Sequence, residues 1–139
     1  MKTLVFLCIL IPIVSFSQDF NKHLWKDRLI LILADSYQHP KLVKQRKELI
    51  NKQQDLKERK LLIYQITPTS YQKGTKNNSI TKNTTFYKKY NPSNENFKII
   101  LVGLDGSIKL VSNNVEVSSR VFDTVDQMPI RRQEIEVKN

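Results

Sequence analysis

Leu29-Ile30-Leu31-Ile32-Leu33-Ala34 and Lys60-Leu61-Leu62-Ile63-Tyr64-Gln65-Ile66, with the charged stretch from Lys41 to Arg59 between them, set the architecture of this chain. The first run is apolar without interruption, the pattern of a strand covered on both faces and therefore central to its sheet. Asp35 to Pro40 closes it as a polar loop. Lys41 to Arg59 sets Leu42, Val43, Leu49, Ile50 and Leu56 among charges, which predicts one long helix with a narrow apolar stripe. Such a helix covers one face of the sheet and leaves Lys44, Lys47 and Lys52 in water. The second run is stopped before Pro68. Strand, helix and strand at this spacing form a βαβ unit, which requires a parallel pair and a right-handed crossover.

On the N-terminal side, Phe20, Leu24 and Trp25 have the spacing of a short amphipathic helix that would lay an aromatic anchor against the core. On the C-terminal side, Thr67 to Thr84 is rich in Ser, Thr, Asn and Lys and reads as a mobile excursion without core residues. Thr85 to Tyr90 predicts a short helix. Phe97 to Leu104 and Ser107 to Val111 flank Asp105-Gly106, a strong hairpin signal because glycine accepts the positive φ of a tight turn. Ser118 or Ser119 can then cap a helix carrying Val121, Phe122, Val125 and Met128, interrupted at Pro129. The order predicts an α/β domain of three layers, with a mixed four-stranded sheet built from the βαβ unit, the hairpin and a C-terminal helix.

Lys2, the apolar run Leu4 to Val14, and the small residues Ser15 and Ser17 read as an export signal over residues 1–17. A single domain over residues 18–139 follows. Cys8 is the only cysteine and lies inside the signal, so cleavage leaves no thiolate, disulfide or sulfur ligand. A secreted or periplasmic location is expected, with no stable membrane insertion after cleavage.

The chain carries a formal charge of +10, or +9 without Lys2. Residues 38–98 hold 14 Lys or Arg against 4 acids, whereas residues 99–139 hold 5 against 6. A basic middle raises the local concentration of polyanions in a salt-dependent way. No nucleic-acid motif is present, so nucleic acid is not an expected partner.

Other residues go further than the pattern. Trp25-Lys26-Asp27-Arg28 before a strand, Gln45, Glu58-Arg59, the hairpin Leu101 to Leu110, and Val125-Asp126-Gln127-Met128-Pro129-Ile130-Arg131-Arg132-Gln133-Glu134-Ile135 resemble landmarks of one thioredoxin-like family. This is domain of unknown function 4174, or P-DUDES, seen in small exported bacterial proteins and in animal extracellular-matrix and sushi-repeat proteins. The resemblance covers nearly all of the mature chain and implies a thioredoxin-like fold in an extracytoplasmic setting. It implies no reaction. Thioredoxins need a low-pKa thiolate after the first strand, where this chain has Asp35-Ser36-Tyr37-Gln38-His39-Pro40. The proline they place just before the third strand is also missing, since Phe97 follows Glu95-Asn96.

His23 and His39 lack a second histidine at metal-ligand spacing, and neither a nucleophile elbow nor a P-loop is present. No catalytic residue, metal or cofactor is assigned. Arg131, Arg132, Glu134 and Asp126 are expected to lock the last helix through ion pairs, with Arg28 and Arg59 as similar anchors. The leading expectation is a binding or scaffold module in which Lys41, Lys44, Lys47, Lys52, Arg131 and Arg132 face an acidic polymer or an envelope protein. An accessory enzyme or redox-system relative with a non-thiol site in the Asp35 to His39 loop is the alternative. A plain structural or adhesion domain is the third.

Overall fold

The structure is a computed structural model that describes residues 20–76 and 79–139. The export signal with Cys8 lies outside the described residues, as do Asn77 and Asn78.

β1 (Arg28–Ala34) is buried along its whole length, as a doubly covered strand must be. It pairs in parallel with β2 (Leu61–Ile66) on one side and antiparallel with β5 (Phe97–Val102) on the other. The hairpin partner β6 (Ile108–Ser112) completes that half of the sheet, and Gly106 in its turn has φ 79°. Even-numbered β1 residues face a core of Leu42, Leu49 and Leu56 with Val121, Phe122 and Val125. Odd-numbered ones face Phe20, Phe86 and Tyr87. Helices therefore cover both faces: α1 (Pro40–Ile50), α2 (Gln53–Glu58) and α4 (Ser118–Asp126) on one, and a 3₁₀ turn (Phe20–His23) with α3 (Phe86–Tyr90) on the other.

The α/β architecture and the parallel pair are as expected, and four details differ. The mixed sheet has six strands rather than four, in the order β4-β3-β2-β1-β5-β6. The polar excursion supplies the extra two, β3 (Ser70–Lys73) and β4 (Thr81–Lys82). Ser70, Gln72 and Thr75 there are buried, because a backbone ladder and side-chain hydrogen bonds can satisfy an edge that has few apolar residues. The long helix breaks at Asn51, a residue type that favours helix ends over helix interiors, so Lys52 sits in the break between α1 and α2.

Trp25 is no core anchor. The helical spacing ends with the 3₁₀ turn, and Trp25 stands 66% exposed with φ 62°. Last, α4 starts without a serine cap: its N-cap is Val117, and the Ser118 N–H donates to Glu48 Oε2 at 3.4 Å. Beyond Pro129 the chain forms a separate helix, α5 (Pro129–Lys138). Among the described residues no helix is long and apolar enough to cross a membrane.

Candidate functional site

Open α/β sheets gather ligands at the carboxyl ends of their parallel strands, which here means the loop from Asp35 to His39. Two of its side chains, Tyr37 and His39, hold the loop. Tyr37 OH lies 2.8 Å from Ser70 Oγ, which is itself 3.0 Å from Thr67 Oγ1. His39 caps α1: its Nδ1 accepts the Lys41 N–H at 3.2 Å, and its ring stacks on Phe97 at 6.2 Å. A Ser-His-Asp relay needs Nδ1 to donate to the acid. Here that atom accepts, so Asp35, Ser36 and His39 are not arranged as one.

On α1 the buried side chains are Leu42, Gln45 and Leu49. Gln45 fastens the helix to the segment before α4, donating to Glu116 O at 2.9 Å and accepting the Glu116 N–H at 2.8 Å. Lys41, Lys44 and Lys47 recur every third residue on the part of α1 turned to solvent, with Lys52 just beyond. Lys41 Nζ donates to Asn113 O and Asn114 Oδ1. Among the described residues Lys44, Lys47 and Lys52 have no ion-pair partner. The nearby acids are used elsewhere: Glu48 accepts the Ser118 N–H, and Glu116 pairs with Arg120 at 2.9 Å.

At the opposite end of the parallel strands the arginines behave differently. Arg59 grips Asp126 with two nearly parallel bonds of 3.0 and 2.9 Å and lies 4.6 Å over the Phe122 ring. Arg131, only 5% exposed, donates to Asp126 Oδ1 at 3.2 Å and to Glu58 O at 2.9 Å. Arg28 donates to Arg59 O at 2.9 Å and to Glu134 at 3.3 Å, and Lys60 reaches Glu134 at 3.5 Å. Their adjacency in sequence groups Arg131 with Arg132, but the structure separates them. Arg131 is spent on the network, and Arg132 is exposed.

Burial alone would raise the Asp126 carboxyl, but the bonds and charges of Arg59 and Arg131 outweigh it and hold it below its ordinary value. Glu134 is lowered likewise, burial being overcome by Arg28 and Lys60. Burial would lower Arg59, yet Asp126 and then Asp55 raise it.

A buried relay escaped the sequence reading. His23 Nδ1 lies 2.8 Å from Asp27 Oδ2, and His23 Nε2 lies 2.7 Å from Tyr64 OH. Burial, with smaller contributions from Tyr71 and Asp27, pushes the Tyr64 hydroxyl up to about 12. The available signal was a tyrosine in the middle of a buried strand, whose hydroxyl must find a partner.

The ion-pair network thus draws on Met128 to Ile135, the segment that carried the resemblance. The family model for the domain of unknown function (DUF4174) matches residues 19–134. The chain belongs to the DUF4174 family. No curated protein and no solved structure matches it. In this DUF4174 chain the signature segment therefore holds α5 against the starts of β1 and β2. Among the described residues no group of three His, Cys, Asp or Glu side chains is arranged to hold a metal ion.

Proposed function

We propose that the mature chain, residues 18–139, is an exported thioredoxin-like domain that binds an acidic polymer or an acidic envelope protein through the lysines of α1 and of the break that follows it. The observation that carries this reading is the stripe of Lys44, Lys47 and Lys52, left without counter-charge while the acids beside it are engaged elsewhere. Lys41 extends the stripe, and Arg132 adds charge on α5. Strands β1, β2, β5 and β6, with helices on both faces, support the thioredoxin-like assignment. The capping role of His39 and the Tyr37–Ser70 bond favour a binding module over an enzyme at the Asp35 to His39 loop.

Retention of the mature chain on immobilised dextran sulfate, followed as sodium chloride is raised, tests the reading. Tight retention at low salt that weakens as salt screens the lysines is expected. No retention at low salt, or retention indifferent to salt, overturns it.

A further inference from the structure

A groove of about 490 Å³ runs between Trp25 and α5, with Leu104, Ile130 and Val137 among its walls. Leu104 and Ile130 also line a smaller cavity of about 170 Å³, together with Arg28, Lys109 and the start of α5. Groove and cavity are thus adjacent: the groove is largely apolar, and the cavity holds two cations, Arg28 and Lys109, paired with Glu134 and Asp105. Neither includes a residue of the lysine stripe, so a ligand bound there is independent of a polyanion held on α1.

Two independent observations point to an anion in the small cavity. Arg28 is 1% exposed, and its Nε has no acceptor among the described residues although both terminal nitrogens are engaged. A buried N–H of a guanidinium without an acceptor is costly, and such groups are uncommon. The ten-residue helix α5 also begins at this cavity, with Met128 at its N-cap and no side chain capping it. Pro129 at its first position has no N–H, so the N–H groups of Ile130 and Arg131, with the positive end of the dipole, favour negative charge there. Asp105 is the one carboxylate lining the cavity. It is held by Ser107 at 3.0 and 2.7 Å and by Lys109 at 3.6 Å.

The groove has its own signature. Bulky side chains at positive φ are outliers that the surrounding structure must impose, and such strain clusters at ligand sites. Trp25, at φ 62°, lines this groove. The Trp25 N–H donates to Leu104 O at 2.7 Å, which fixes the backbone that presents the indole to solvent.

We propose that groove and cavity together bind an amphipathic carboxylate, its apolar chain between Trp25 and the aliphatic side of α5 and its carboxylate beside Arg28 at the start of that helix. Because Arg28 Nε is covered in the unliganded chain, entry of the carboxylate requires a side chain of the cavity wall to rotate.

Trp25 is the only tryptophan of the chain, so its emission reports this groove alone. Decanoate, titrated below its micelle-forming concentration, is expected to shift that emission to the blue and to saturate. Decanol, with the same chain and no charge, is expected to bind about tenfold more weakly, and acetate to leave the emission unchanged. Val137→Glu, at a position 88% exposed, places a like charge in the groove without touching the core, and about a tenfold loss of decanoate affinity is expected. Ile130→Glu is expected to act in the same direction. The proposal is overturned if decanoate leaves Trp25 emission unchanged, if decanol binds as tightly as decanoate, or if both variants bind decanoate like the wild type.

Discussion

The arginines at the α5 edge and the lysines along α1 carry the same charge into opposite surroundings. Arg28, Arg59 and Arg131 are shielded from water, and each meets a carboxylate and a backbone carbonyl. Lys44, Lys47 and Lys52 are exposed and meet no acid among the described residues. The guanidinium fork is built for geometrically matched pairing, whereas a lysine ammonium on a flexible stem stays hydrated. Charge in this chain therefore divides by setting: the arginines hold the fold, with Arg28 also lining the cavity at the start of α5, and the lysines are available to a partner.

The largest effect is expected where the first set is broken. Glu134→Ala leaves Arg28 buried without its counter-charge and should destabilise the domain by about 3 kcal/mol in urea unfolding. A loss no larger than that of a surface mutation would show that the arginines are not structural.

Acid titration probes the same set by removing charge rather than side chains. Asp126 and Glu134 titrate below their unfolded values, so their stabilisation is fully present above the unfolded carboxylate range near about pH 4. It is lost as pH falls through their lowered folded values. Unfolding free energy measured from pH 6 downward should therefore decline in that window, and the decline should be shallower in Asp126→Asn.

A smaller effect is expected at the relay. Tyr64→Phe removes the hydroxyl that meets His23 and should cost about 1 kcal/mol. With the hydroxyl raised from 10.0 to about 12 in the fold, wild-type stability is retained below pH 10.0 and should fall as pH climbs toward about 12. That alkaline loss should be reduced in the phenylalanine variant.

Much of this was legible in the chain because it is local. The run from Leu29 to Ala34 announced a doubly covered strand, and Asp105-Gly106 announced the hairpin. What escaped depends on distance along the sequence. Arg59 meets Asp126 across 67 positions and Arg28 meets Glu134 across 106, and no spacing rule pairs residues that far apart. Strands β3 and β4 were hidden because their edge is satisfied by polar bonds such as Gln65 Nε2 to Gly74 O, which leave no apolar alternation to read. At the site, the free lysines of α1 were legible from amphipathic spacing, but the burial of Arg131 beside the exposed Arg132 was not.

The smallest structural effect, and the decisive experiment, come from the second set. Two charge-reversed chains change charge equally: one carries glutamate at Lys41, Lys44, Lys47 and Lys52, the other at Lys57, Lys76, Lys82 and Lys88, all exposed. Both should unfold at nearly the wild-type urea concentration, since none of these side chains is buried. The salt concentration that elutes each from dextran sulfate decides between a defined surface and diffuse net charge. Loss of retention in the α1 set with most of it kept in the second is the predicted result, and equal loss in both would contradict a polyanion site on α1.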